Sequence, residues 1–296
     1  MPRTLLVRYG ELALKSPAVR REFEHRLKGH ILSALYHAGQ EGTVTDDHGH
    51  LYVNSEDPEQ LVPLVCRIFG VVSVSVATVL PTDLSELSRF VVDLAGAIPD
   101  GSRFAIRARR TGTHPFTSHD VDVRLGADVI AAHGSRGLKV DLTHPDREIA
   151  VEIRGPRTYV YMDRHPGPGG FPLGVAGRVG ALVEGRRGAL GAWLLMKRGC
   201  QTYTVSSPAG LPFTEVLKKF DGEIDMTRVA EGRTAWEILR TLTEDRRLSG
   251  VVLSLTVDDF DVAREFWGDT VLFSPTVGMP EEEVERRWLE IEKLAR

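Results

Sequence analysis

Cysteine is scarce in this 296-residue chain. There are two, Cys66 and Cys200, far apart in sequence, which argues against a disulfide framework or a cysteine metal cluster and fits a reducing compartment. Long apolar runs are lacking as well: even Val71–Leu80 is interrupted by Ser73, Ser75 and Thr78, so no segment reads as a membrane span. The amino terminus offers only the short apolar stretch Thr4–Val7 between Arg3 and Arg8, which is not the hydrophobic region of a secretion signal, and a cytoplasmic protein is expected. Neither sign of charge is in excess. Residues 1–170 hold 20 Lys and Arg against 21 Asp and Glu, and the remainder 17 against 20. A field of that sign weakly repels phosphate, so nucleic-acid binding requires a local basic patch. Among the histidines, His48, His50, His114, His119, His133, His144 and His165 show no paired ligand spacing on one helix face, and no metal is expected.

What is there is an ordinary globular composition, 42% hydrophobic and 26% charged, long enough for two or three domains. Strand Leu5–Arg8 is followed by a helix from about Ser16 to Tyr36 with Phe23, Leu27, Ile31, Leu32 and Leu35 on one face. Two strands flank the turn Asp46-Asp47-His48-Gly49, a helix runs from Asp57-Pro58 to about Phe69, and Val71–Val79 is β-rich. That β-α-β-β-α-β order is ferredoxin-like and assigns a first domain to residues 1–80. A second α/β domain is expected over 81–165, with helices Leu84–Ala97 and Ser118–His133 and strands Arg103–Arg109, Leu138–Asp141, Ile149–Arg154 and Thr158–Met162. Strand Arg103–Arg109 alternates, with Phe104, Ile106 and Ala108 on one side and Arg103, Arg107 and Arg109 on the other, and Arg110 continues the charge. Either this strand tracks an RNA backbone, or it is a solvated face paired with Asp120 and Asp122.

The Pro- and Gly-rich stretch 163–177 reads as a hinge. From 166 to 296 strand and helix alternate, which predicts a doubly wound parallel sheet, closing with helix Glu281–Leu294. The first strand, Val179–Val183, leads through a Gly-rich turn into helix Ala189–Arg198, the place where an α/β domain holds a phosphate. The turn reads Val183-Glu184-Gly185-Arg186-Arg187-Gly188, and a carboxylate at Glu184 stands where phosphate oxygens need backbone N–H groups. Asp258, Asp259 and Asp261 read as an acidic helix start rather than a magnesium site.

Four ordered motifs carry a resemblance. Arg8-Tyr9-Gly10-Glu11-Leu12-Ala13-Leu14-Lys15 resembles the opening of the tRNA 4-thiouridine synthetase family, the tRNA sulfurtransferases. Phe104–Arg110 with Pro115-Phe116-Thr117-Ser118 resembles that family's THUMP domain, 167–174 its linker, and Leu194–Gly199 the helix end after its pyrophosphatase loop. The resemblance implies a third domain of adenine-nucleotide α-hydrolase type. It implies homodimers, for which Trp288 in the closing helix and Phe171 in the hinge offer apolar surface, and no role with DNA or membranes. It implies recognition of the tRNA CCA end by the THUMP domain, placing Arg103, Arg107, Arg109 and Arg110 on the RNA. Lys15 extends the track, and Phe116 is either a stacking ring for a base or core.

The sequence departs from the family at its centre. Counted back from Met196–Gly199, the family's Ser-Gly-Gly-x-Asp-Ser falls on Val183, Glu184, Gly185, Arg186, Arg187 and Gly188, so both hydroxyls and the aspartate are gone. Several lost contacts at about 3 kcal/mol each would extinguish adenylation. No rhodanese module and no cysteine beyond Cys200 is present, and both cysteines read as buried core. No catalytic residue and no cofactor is assigned. The reading adopted is a non-catalytic tRNA-binding scaffold or accessory in tRNA modification. The alternatives are an active ATP-dependent sulfurtransferase, in which Arg186 and Arg187 replace contacts to phosphate, and a protein-interaction subunit that binds no RNA.

Overall fold

A computed structural model describes residues 1–10, 16–47, 49–229, 232–256 and 258–296. In chain order the elements are β1 (Arg3–Tyr9), α1 (Pro17–His37), β2 (Thr43–Asp47), β3 (His50–Asn54), α2 (Pro58–Val65), β4 (Val71–Pro81), α3 (Leu84–Ala95), β5 (Arg103–Thr111), α4 (Ser118–His133), β6 (Lys139–Val140), β7 (Arg147–Arg154), β8 (Arg157–Tyr161) and β9 (His165–Pro166). There follow β10 (Arg178–Val183), α5 (Arg186–Lys197), β11 (Gln201–Ser206), α6 (Leu211–Leu217), β12 (Asp225–Arg228), α7 (Ala235–Arg246), β13 (Val251–Val252), α8 (Phe260–Trp267), β14 (Leu272–Phe273) and α9 (Glu281–Leu294). The fold is mixed α/β, with a ferredoxin-like amino-terminal domain, a THUMP-type α/β domain and a carboxyl-terminal parallel sheet. Among the described residues no helix is long and apolar enough to cross a membrane.

The chain divides into two compact units. The first comprises Met1–Leu6, Tyr52–Val62 and Ser75–His165. Within it β5 pairs with β6 and β7 in parallel, while β8 runs antiparallel to β7 and β4. Helices α3 and α4 bury Leu87, Val91, Val121, Leu125 and Val129 against Phe104, Ile106, Ile149, Val151 and Ile153. Both start on caps: Asp83 accepts from the N–H groups of Ser85 and Glu86, and Thr117 exchanges hydrogen bonds with Asp120 in a capping box.

The second unit comprises Val7–Leu51, Pro63–Val74 and Pro166–Arg296. Its parallel sheet has the order β12-β11-β10-β13-β14, which reverses direction at β10, the first strand. Helices lie on both faces, as the predicted doubly wound architecture requires. On one side Leu190, Trp193, Met196, Leu217, Trp288 and Ile291 pack with Phe69; on the other Leu182, Val205, Leu239, Leu253 and Trp267 form a separate cluster.

Four features differ from the sequence reading. Helix α2 runs through Pro63 and stops at Val65, and the chain tightens into turns donated by Arg67 and Ile68 that deliver Phe69 to the core. Stretch 166–177 is not a free hinge: Gly167 and Gly169 donate to the Val72 and Val71 carbonyls, and Phe171 donates to Lys197 O at 3.0 Å. Helix α5 begins at Arg186, three residues early, so Arg186, Arg187 and Gly188 lie in its first turn and Val183 lies in β10. Trp288 is 1% exposed and makes an edge contact with Phe213 at 5.6 Å, and Phe171 does the same with Phe23 at 5.7 Å, so the apolar surface expected to serve a dimer is spent inside the unit.

Candidate RNA interface and phosphate-loop crevice

Strand β5 separates the predicted arginines instead of gathering them. Arg103 stands at its start, where the guanidinium donates to both Asp146 oxygens (3.2 and 3.0 Å) and to Asp141 (3.3 Å). That guanidinium, followed by the Arg103 backbone N–H, holds the Asp146 carboxyl below its usual range, so the group is committed to the turn. Arg107 donates to Glu148 at 3.0 Å and to the Leu142 carbonyl. The partners are therefore Asp141, Asp146 and Glu148, not Asp120 and Asp122. Asp120 is spent on the α4 cap and Asp122 accepts the Ala108 N–H at 2.6 Å, its carboxyl pushed up by burial.

Arg109 lies about 20 Å along the strand from Arg103, and its side chain has no ion pair or hydrogen bond among the described residues. Its register partner is Glu152, and Thr111 pairs with Arg154, which pairs with Arg157 across the β7–β8 hairpin. Side chains alternate along strands, so Arg107, Arg109, Arg154 and Arg157 share one face and Arg110 lies on the other. The opposite face carries Phe104, Ile106, Val151 and Ile153, which pack on α3 and α4. Arg154 is held by Glu152 (3.1 Å), which also accepts from Tyr161 (2.6 Å). Arg157 is exposed, and its signal in the sequence was the Arg154-Gly155-Pro156-Arg157 turn. Arg110 donates to the Gly112 carbonyl at 3.1 Å. Phe116 is half-buried: it touches the α3/α4 core and is stacked by His114 at 5.5 Å with 20° between the planes. Lys15 lies outside the described residues, as do Glu11–Leu14 and His48.

The second site is the carboxyl end of β10. Only Glu184 and Gly185 remain as a loop. Two cations in the first turn of a helix oppose its dipole, and both turn to α9 for compensation. Arg186 pairs with Glu285 at 3.3 Å. Arg187, the residue in the aspartate position, donates to the carbonyls of Thr276 (2.8 Å) and Met279 (2.7 Å) and to Glu281 (2.9 Å). Gly188 is buried, and a Cβ there would collide with the Leu182 carbonyl. A Cβ on Gly210, at the head of α6, would collide with the Val183 carbonyl in the same way. The crevice on the other side of β10, between β10 and β13, is a cavity of about 290 Å³ lined by Glu184, Asp259, Trp236 and Leu253. The Thr256 hydroxyl and N–H hold the Asp259 carboxyl below its usual range, so it stays anionic. Among the described residues two carboxylates and no lysine or arginine line this cavity.

Both cysteines are buried free thiols. Burial pushes the Cys66 thiol up to about 11 and raises that of Cys200, whose Sγ faces the Ala176 carbonyl at 3.7 Å. No group of three or more His, Cys, Asp or Glu able to hold a metal occurs among the described residues.

Residues 4–75 match the ThiI ferredoxin-like domain and residues 81–163 the THUMP domain. A probable tRNA sulfurtransferase of Methanothermobacter thermautotrophicus is 36% identical over 252 residues, 82% of this chain and 62% of that protein. The tRNA sulfurtransferase of Pyrobaculum aerophilum is 38% identical over 225 residues, 73% of this chain and 45% of that protein. The chain thus spans about half to three fifths of the length of these relatives. Among solved structures, a Pyrococcus horikoshii protein superposes with TM-score 0.82 at 24% identity, covering 98% of this chain and 99% of that one. A 4-thiouridine synthetase in complex with RNA and ATP superposes with TM-score 0.80 at 18% identity, covering 100% of this chain and 86% of that one. At those identities the structures establish the shared fold.

Proposed function

The chain belongs with the tRNA sulfurtransferases through its tandem ThiI ferredoxin-like and THUMP domains, and from that premise we propose that it binds tRNA but does not adenylate it. The RNA half of the proposal rests on Arg109 and Arg157 sharing one face at one end of the THUMP sheet, with Arg154 beside them. Arginines on one face can each contact a phosphate, and Phe116 with His114 offers a ring pair on which a base of the single-stranded CCA end stacks. Arg103, tied to two aspartates, contributes little.

The catalytic half rests on Arg187. An active enzyme in which Arg186 and Arg187 hold the ATP phosphates is the reading that the relatives' names favour. Against it, Arg187 already spends its donors on two carbonyls and Glu281, and Arg186 is paired with Glu285. The binding half is tested by titrating tRNA over a range of salt. Arg109→Ala with Arg157→Ala weakens binding and lowers the salt slope by about 0.7–0.9 per lost phosphate contact, whereas Arg103→Ala leaves the slope in place. Equal slopes in wild type and double variant, with the fold intact by circular dichroism, would refute this interface.

A further inference from the structure

A cavity of the second unit lies away from the phosphate loop. It lies at the other end of the parallel sheet, where Gln201 opens β11 and Asp221–Glu223 lead into β12, and it encloses about 420 Å³. That is the size of a small-molecule site. Its floor is apolar, built from Leu64, Ile68, Phe69, Leu173 and Phe220. Phe69 and Phe220 are fixed there by mutual contact at 5.7 Å and by Trp193 at 5.5 and 6.0 Å.

The walls carry convergent charge. Arg26, Arg67, Lys218 and Lys219 face it against Asp221 and Glu223, a local positive balance in a chain whose net charge is −4. Much of that positive charge is unspent. Arg67 donates from one terminal nitrogen to the Ala295 carbonyl at 3.3 Å, while its buried Nε has no hydrogen-bond partner. Among the described residues the Arg26 guanidinium reaches only Glu22, at 4.0 Å, and the Lys219 side chain has no ion pair or hydrogen bond. The connector is shaped around Arg26: Gly174 has φ +80°, and a Cβ on it would come within 2.8 Å of the Arg26 guanidinium. Glu223 closes the rim, accepting from Ser33 at 3.3 Å and lying 3.9 Å from His37. Burial, with Arg26 adding to it, holds the His30 imidazole below its usual value, so this wall residue is neutral and free to donate or accept.

We propose that this cavity is a binding site for a small organic anion with an apolar or aromatic body, of nucleoside monophosphate size, whose anionic group is taken by Arg26, Arg67 and Lys219. The site is separate from the phosphate loop and stands whether or not the RNA reading does. The test is calorimetric titration of the full chain with AMP and UMP, and with adenosine and uridine as uncharged counterparts. The monophosphates bind saturably and at least about tenfold more tightly than the nucleosides, the weight of one charge-assisted contact. Arg26→Gln combined with Lys219→Ala removes that advantage, whereas Glu184→Gln at the far end of the sheet leaves it unchanged. His30 ring resonances shift with saturation in wild type, which locates the ligand without relying on a variant. Failure of both monophosphates to saturate at millimolar concentration would overturn the proposal. So would binding that survives the Arg26/Lys219 change but responds to Glu184→Gln.

Discussion

Arg187 is the residue on which the molecule turns. Its place in the first turn of α5 is electrostatically unfavourable, and its three acceptors on the 276–281 segment make it a brace between α5 and α9. Arg187→Ala leaves two carbonyls unpaired, and we expect a loss of about 2–3 kcal/mol in urea unfolding. Rebuilding the family loop is blocked beside it: Gly188→Ser pushes a Cβ into the Leu182 carbonyl, and the same unfolding experiment shows a loss of about 3 kcal/mol or more without gain of ATP affinity. Cys66 gives a pH test. Its thiol ionises near 9.0 in the unfolded chain and near 11 in the folded one, so above pH 9 the unfolded state holds fewer protons and stability falls until about pH 11. Cys66→Ala removes that part of the alkaline loss in a pH series of thermal melts.

At the scale of elements, α9 was legible in full because Pro280 and three glutamates announce its start. Helix α4 was legible because Thr117 and Asp120 form a capping box. Trp288 reads as apolar surface in the sequence, yet with Val284 and Ile291 it completes a buried stripe, and Trp288→Ala should cost about 3–5 kcal/mol rather than change self-association. The start of α5 was hidden because two arginines are poor first-turn residues until α9, some 90 residues later, supplies Glu281 and Glu285. The same non-locality divided the basic strand. Alternation identified the outward arginines of β5, but only the fold shows that the 141–146 turn neutralises Arg103 and that the β7–β8 hairpin brings Arg157 level with Arg154 and its neighbour Thr111.

For the molecule as a whole, the chain carries a THUMP domain and is similar to tRNA sulfurtransferases, and the function proposed above has it hold RNA without adenylating it. Its net charge of −4 means that phosphate binding has to come from local basic clusters such as the THUMP arginines, and the carboxylates Glu184 and Asp259 put negative charge in the crevice beside β10. The most direct measurement is pyrophosphate release from ATP by the full chain with tRNA at a concentration that titration shows to be saturating. The account predicts no release above background while the tRNA is bound, and turnover at about 1 per second or more, the range of ordinary enzymes, would contradict it.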